Sequence, residues 1–277
     1  MKLISFSAKG AERVGLLTGN GVVDLSARLG LSHLPEAFAR KAEIEALSGS
    51  PADFSVDEIT YLPAVPRPER IFCIGLNYRT HLEETGREAG PEPMIFTRFA
   101  SSQVGHDQPI IRPSVSDKLD FEGELAVIIG QDCRHVSQDK AWDVIGGFAC
   151  YNDGSIRDWQ KHTSQFTPGK NFPGTGGFGP CVVTADEIKD ITQASLVTRL
   201  NGEEMQRAVI SDLVFDIPRL IAYCSTFSPL SAGDVIVTGT TGGVGAARKP
   251  PVWMKPGDTV EVEIAGVGTL VNTIADE

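Results

Sequence analysis

Two carboxylates at one-residue spacing, Glu122 and Glu124, stand in the run Asp120-Phe-Glu-Gly-Glu-Leu-Ala-Val-Ile-Ile-Gly130, which is otherwise apolar enough to be a buried strand. Strand side chains alternate between faces, so the two acids point one way while Phe121, Leu125, Val127 and Ile129 point the other. Like charges held side by side repel, and more strongly at low dielectric. A cation between them resolves the conflict. Ligation by oxygen alone suits a hard divalent ion, Mg²⁺ or Mn²⁺, or Ca²⁺ in a larger cage. The same spacing also fits an edge strand with a wet outer face. Asp153 closes a second apolar run, Val144-Ile-Gly-Gly-Phe-Ala-Cys-Tyr-Asn-Asp153, at a strand-to-helix junction. There it is placed to be a third ligand or simply the N-cap of the helix over 154–160.

A second group of candidates is His81 and Glu84. If the segment after Asn77 is a helix, capped by that Asn and closed by Gly86, the two lie three apart on one face as a base and its orienting carboxylate, or as a solvated ion pair. A short helix between a strand and the Gly/Pro-rich stretch 86–93 has the makings of a lid. Lys170 is the cation at the head of a glycine-rich stretch within 161–180, read as a long functional loop or as a flexible surface loop with a solvated lysine. The segment Thr240-Thr-Gly-Gly-Val-Gly245 lacks the Gly-Lys-Ser/Thr of a phosphate loop and has no helix after it, so its N–H groups and hydroxyls suit a small carboxylate rather than a nucleotide.

These groups need a scaffold, and the chain is long enough to supply one. At 277 residues it holds one large domain or a large and a small one, and its 41% apolar and 22% charged content is that of a globular protein. The net charge of −11 argues against nucleic acid or an anionic membrane surface as partner. The five cysteines are scattered with no Cys-x-x-Cys pair, the N-terminus lacks a signal-peptide apolar region, and no run approaches membrane-spanning length. A cytoplasmic location is expected.

Residues 1–64 read as a small N-terminal α/β unit: strands near Leu3–Ser7, Val14–Leu17 and Val22–Leu25, then a helical stretch from Leu34 to Leu47. Three prolines in Tyr61–Glu69 make an extended connector. Residues 65–277 are expected to form the larger unit, the one that carries the candidate metal and acid–base residues. It has strands at Ile71–Gly75, Met94–Arg98 and Cys181–Thr184, and an Asn201-Gly202 hairpin turn after the strand Leu196–Leu200. A helix capped by Asp216 with Pro218 in its first turn, a strand at Val235–Gly239 and a C-terminal hairpin complete it.

Taken together, Gly75-Leu-Asn-Tyr-x-x-His81-x-x-Glu84, Asp120-Phe-Glu-Gly-Glu124-Leu-Ala, Asn152-Asp153-Gly-Ser-x-Arg157-Asp158-Trp159-Gln160, Lys170, Asn201-Gly202-Glu203, Leu220-Ile-Ala-Tyr-Cys-Ser225 and Gly233-Asp-Val-Ile-x-Thr-Gly-Thr240-x-x-Gly-Val-Gly245 resemble the fumarylacetoacetate hydrolase family. They run in order over about residues 70–275. The resemblance implies a mixed α+β, β-rich fold with a β-roll or sandwich-like catalytic domain, usually a homodimer. It implies Mg²⁺ or a similar ion on Glu122, Glu124 and Asp153, and a water-activating dyad of His81 and Glu84 with Lys170 supplying positive charge. Arg157, Gln206, Gly239 and Thr240 are then the residues expected at the substrate, a 2-oxo acid or 1,3-diketone. C–C bond hydrolysis of a 2,4-dioxo acid is the implied reaction, with 2-oxo acid decarboxylation or keto–enol isomerisation as the alternative on the same metal triad. The chain differs from many members in carrying Arg98 where they have lysine, and Gly242 where a proline-bearing loop is common.

Overall fold

The computed structural model describes residues 1–277. In the N-terminal part, β1 (Lys2–Ala8), β2 (Ala11–Thr18) and β3 (Gly21–Asp24) form a meander followed by α1 (Leu25–Leu29), α2 (Glu36–Ala39), α3 (Lys41–Glu45) and β4 (Thr60–Tyr61). The stretch expected as one helix from Leu34 to Leu47 is thus two short ones, broken at Arg40. Next come β5 (Ile71–Gly75), α4 (Arg79–Thr85), β6 (Met94–Thr97), β7 (Gln103–Val104), β8 (Ile110–Arg112), β9 (Leu119–Asp120) and β10 (Gly123–Ile129). The remainder runs β11 (Ile145–Asn152), β12 (Ser155–Ile156), α5 (Arg157–Gln160), α6 (Thr167–Lys170), β13 (Gly176–Thr184), β14 (Ser195–Leu200), β15 (Glu203–Val209), α7 (Ile217–Phe227), β16 (Val235–Thr240), β17 (Thr259–Ile264) and β18 (Gly268–Asp276).

The large sheet has the order β3-β2-β1-β13-β11-β10-β16-β5-β6, with β4 added beside β1 and β7 beside β13. A second sheet, β15-β14-β17-β18-β8, packs on one face of it, giving the mixed, sheet-rich fold expected. Alternation along β10 explains the layering. Leu125, Val127 and Ile129 enter the core shared with Leu196, Val262 and Leu270 of the second sheet. Ala126 and Ile128 face the other way, against Leu3, Val182 and Val237. Both faces of this strand are covered, so it reads as a continuous apolar run. The two sequence units share this framework: β1 pairs with β13 through Lys2↔Val183 and Leu3↔Val182, and one core cluster spans both. No helix is long and apolar enough to cross a membrane.

The glycine-rich segment is a correction. Gly176–Pro180, expected as the end of a loop, opens the central strand β13, and the irregular stretch before it is interrupted by α6. Its glycines are there for space. A Cβ on Gly177 would lie 2.5 Å from Asn272 Oδ1 of the second sheet. The hairpin at Asn201-Gly202 forms as expected, both residues having positive φ (53° and 80°). Asp216 caps α7, its Oδ1 accepting from Arg219 N at 2.9 Å.

Candidate metal centre and active site

Strands β10 and β11 pair with Gly123 opposite Asn152, which sets Glu122 and Glu124 beside Asp153 at the next position. The junction is stitched by the Asp153 N–H donating to Glu122 O at 2.8 Å and the Glu122 N–H donating to Asn152 Oδ1 at 3.0 Å. Glu122, Glu124 and Asp153 are all buried, and one oxygen from each lies within 4.8 Å of the others. Asp153 is therefore no helix cap. Its side chain faces the other two acids, and α5 begins only at Arg157.

Buried carboxylates need compensation, and three cations provide part of it. Lys170, on α6 and fully buried, places Nζ 2.6 Å from Glu122 Oε2 and 2.5 Å from Asp153 Oδ2. Arg98 donates from Nη1 to Asp153 Oδ1 at 2.6 Å. Arg157 sets Nη2 2.7 Å from Glu122 Oε1. Burial raises the Glu122 carboxyl, but the charges of Arg157 and Lys170 outweigh it and hold the group well below the usual range. Burial lowers the Lys170 ammonium, and Asp153 and Glu122 more than restore it. Glu124 has no such partner. Its Oε2 accepts only the Gly239 N–H at 2.6 Å, and burial followed by the charges of Asp153 and Glu122 pushes its carboxyl well up. A divalent cation fits this donor set: oxygen ligands alone, converging, with one acid left without a counter-charge. With Asp120 included, four buried acids meet three bases. With every one of these groups ionised, a divalent ion would turn the net charge from minus one to plus one.

His81 and Glu84 lie on α4, as expected, with His81 Nδ1 3.3 Å from Glu84 Oε2. Asn77 is not the cap of α4. Its amide donates to Phe215 O and Thr238 O and accepts from Phe215 N, pinning the chain to β16, while Gly86 closes the helix at φ 64°. Glu84 Oε1 accepts the Gly243 N–H at 2.9 Å and Thr80 Oγ1 meets Thr241 Oγ1 at 2.9 Å, so α4 is tied to the loop that follows β16. Burial raises the Glu84 carboxyl, and the His81 and Gly243 contacts overcome it to leave it lowered.

The dyad and two of the acids, Glu122 and Glu124, line one cavity of about 680 Å³, shared with Arg157, Gln160, Lys161 and Thr240. Other expected substrate contacts are placed differently. The Gln206 amide is wholly engaged behind the site, accepting from Gly123 N and donating to Thr240 Oγ1 and Thr241 O, each at 2.9 Å. The Gly239 N–H belongs to Glu124. The loop expected to offer N–H groups to a substrate carboxylate instead gives several of them to the protein's own acids: Gly243 to Glu84, and Gly245 and Ala246 to Asp120 at 2.8 and 2.9 Å. Asp120 in turn holds Arg157 through Nε at 2.7 Å, and Gln160 Oε1 accepts from Arg157 Nη1 at 3.0 Å. Asp120 and Gln160 were legible only as parts of the quoted motifs. Nothing in their own neighbourhoods marks one as the anchor of the Arg157 side chain or the other as a cavity wall.

Residues 70–275 match the fumarylacetoacetate (FAA) hydrolase C-terminal family. The chain belongs to the fumarylacetoacetate hydrolase family. The human mitochondrial oxaloacetate tautomerase FAHD2A is 37% identical over 99% of this chain and 91% of its own length. Fumarylacetoacetate hydrolase from psychrophilic Exiguobacterium antarcticum superposes with a TM-score of 0.85 at 32% identity, covering 100% of both chains. Maleylpyruvate hydrolase from Sphingobium sp. SYK-6, solved in complex with manganese(II) ion and pyruvate, gives 0.82 at 27% identity over 100% of this chain and 99% of its own. Named members of the fumarylacetoacetate hydrolase family among these neighbours are enzymes, and they include hydrolases, isomerases and tautomerases.

Proposed function

We propose that this protein is a divalent-metal-dependent enzyme that interconverts the keto and enol forms of a 2-oxo acid of the oxaloacetate kind, with Glu122, Glu124 and Asp153 as metal ligands and His81 as the proton carrier. The observation that carries this reading is one cavity lined both by two acids of the three-carboxylate cluster, Glu122 and Glu124, and by a histidine whose Nδ1 faces an acid. The full-length likeness to oxaloacetate tautomerases at 36–37% identity favours tautomerisation as the outcome.

When bound, the ion supplies Lewis-acid stabilisation of an enolate oxygen. Glu84 accepts from His81 Nδ1, which fixes the tautomer with Nε2 unprotonated and free to take a proton. In the keto direction the enol O–H loses its proton and a proton is returned to C3, so His81 is asked only to carry one proton between two positions. Lys170 keeps positive charge beside the acids, and Arg157, held by Asp120, presents a fixed guanidinium to the anion. Thr240 bounds the cavity, its Oγ1 donating to Gly123 O at 3.0 Å, and so gives shape rather than a free donor.

A second reading is hydrolysis of a C–C bond in an acylpyruvate, with His81 activating water. The cavity of about 680 Å³ favours it, being far larger than a four-carbon acid requires. The five cysteines are all unpaired, which suits a reducing compartment. A direct comparison separates the two reactions: enol-oxaloacetate ketonisation against acylpyruvate cleavage, each with Mg²⁺ and with chelator. Fast cleavage with no acceleration of ketonisation would move the assignment to hydrolysis.

A further inference from the structure

We propose that the site also takes 2-oxo acids carrying an aryl group on C3, the arylpyruvates, and that Phe96, Phe166 and Met94 form the wall that selects them. The inference rests on the keto–enol reading above and adds a substrate class to it. Part of the cavity lining is charged and already internally bonded: Lys170 to Glu122 and Asp153, and Arg157 to Glu122 and Asp120. Beside Lys170 the lining turns apolar. Its Nζ stands 4.9 Å from the centroid of the Phe96 ring, and Phe96 meets Phe166 edge to face with centroids 5.7 Å apart at 70°. Strand alternation puts Met94 on the same face of β6 as Phe96. β6 pairs with β5 through Gly75↔Met94, and a Cβ on Gly75 would lie 3.3 Å from Met94 Sδ and 3.6 Å from Phe166 Cε2. The missing side chain therefore leaves open the surface where Met94 and Phe166 come close.

This surface is not part of the hydrophobic core. Met94 is 43% exposed and Phe166 is half-buried, and neither belongs to a core cluster, while Phe96 only borders one. Leu76 lines the same cavity with its backbone at φ 57°, a left-handed conformation that leucine rarely adopts. Strain of that kind gathers where a chain positions groups for a ligand. An aromatic pair with a thioether at its edge is a surface for a flat apolar group, since rings pack edge to face or offset and sulfur sits well at a ring edge.

The chemistry asked of the site is unchanged. With the oxo-acid head at the charged groups, the substituent on C3 is the part of the substrate that reaches Phe96 and Phe166, and the cavity of about 680 Å³ has room for it. The enol O–H loses its proton and C3 gains one, so no further reactant is needed. Arg87 and Lys161, the cations at the rim, are exposed and solvated, and they are the groups that a second carboxylate on the substrate would use instead.

Two measurements on the full-length protein with Mg²⁺ test this. Calorimetric titration compares oxamate with N-phenyloxamate, whose amide nitrogen and carbonyl oxygen stand where an arylpyruvate enolate has C3 and its enolate oxygen. The phenyl group should tighten binding by about 10- to 100-fold. Stopped-flow ketonisation compares enol-phenylpyruvate with enol-oxaloacetate, and kcat/KM for the aryl substrate should equal or exceed that for oxaloacetate. Phe166→Ala should remove most of the phenyl gain in affinity and raise KM for phenylpyruvate by about 10-fold with kcat within about 3-fold of wild type. Met94→Ala, at a largely exposed position, serves if that variant does not fold and should cut the same gain by about 3-fold. Equal affinity for the two oxamates, or a higher kcat/KM for oxaloacetate, overturns the aryl subsite while leaving the keto–enol reading intact, the second result giving the tail to Arg87 and Lys161. A phenyl gain that survives both variants takes the selection away from this wall. If neither oxamate bound and neither enol was ketonised, the keto–enol reading would fall and the subsite with it.

Discussion

Glu84→Gln isolates what the carboxylate does for His81. At 3.3 Å an imidazolium and a carboxylate attract by about 5 kcal/mol at an effective dielectric near 20 and by about 1 kcal/mol in bulk water. The Glu84 side chain is 23% exposed, so the attraction falls between these limits, at about 2 kcal/mol or roughly 30-fold in rate. The tautomer adds to that. Glutamine can keep the Gly243 N–H only by turning its oxygen toward it, which presents its NH₂ to His81 Nδ1. Nδ1 must then be the acceptor, the proton moves to Nε2, and the nitrogen facing the cavity is no longer a base. Turning the amide the other way leaves the Gly243 donor unpaired, at about 1–3 kcal/mol. Together these set an expected fall in kcat on the order of 10²-fold for Glu84→Gln, against on the order of 10²–10⁴-fold for His81→Ala. Stopped-flow absorbance of enol-oxaloacetate is the assay, with Mn²⁺ affinity measured in parallel and expected to be unchanged in both variants. Rates within about 3-fold of wild type for His81→Ala would refute the proton-carrier role.

Three further outcomes are expected. Asp120→Asn breaks a fully buried pair with Arg157 and sets an NH₂ against a backbone N–H, so thermal denaturation should show a loss of about 3–5 kcal/mol, on the order of 10 °C in Tm. Lys170→Met removes the ammonium between Glu122 and Asp153; calorimetric titration should show Mn²⁺ bound at least as tightly as in wild type while activity is lost, because one positive charge competing for the same two acids is gone. Gly123→Ala places a Cβ 2.0 Å from Thr198 Oγ1, between Glu122 and Glu124, and should cost about 1–3 kcal/mol of stability along with Mn²⁺ affinity.

How much of this was visible beforehand depends on the range of the interaction involved. The acids of Glu122, Glu124 and Asp153 stand out because charge inside apolar strands is costly, and strand periodicity alone puts Glu122 and Glu124 on one face. His81 and Glu84 are three apart on one short helix, and Asn201-Gly202 and Asp216 are local signals, so they too could be read directly. The partners that tune the site are not local. Arg98 and Asp153 are 55 residues apart and Asp120 and Arg157 are 37 apart, and each side chain looks like an ordinary surface charge until the strands pair. The loop after Thr240 misleads for a related reason: its glycines do permit close approach, but several of its N–H groups meet Asp120 and Glu84 of the same protein. Gly176 and Gly177 look like a flexible loop in sequence, while their missing side chains make room for Arg98 and Asn272 across a packed sheet. Composition likewise suggests a break at residue 64 that β1 bridges by pairing with β13.

The central claim is that a divalent ion on the Glu122, Glu124 and Asp153 cage is required for enolisation of a 2-oxo acid. The measurement that tests it most directly is the rate of enol-oxaloacetate ketonisation by chelator-treated protein, before and after addition of Mg²⁺, with Glu124→Gln run beside wild type. Glu124 is the acid to change because it has no basic partner to disturb. The account predicts that chelated wild type is inactive and is restored by Mg²⁺, and that Glu124→Gln folds yet stays inactive at any Mg²⁺ concentration that saturates wild type. Full ketonisation by chelated wild type, or restoration of Glu124→Gln to wild-type rates by the same Mg²⁺, would contradict it.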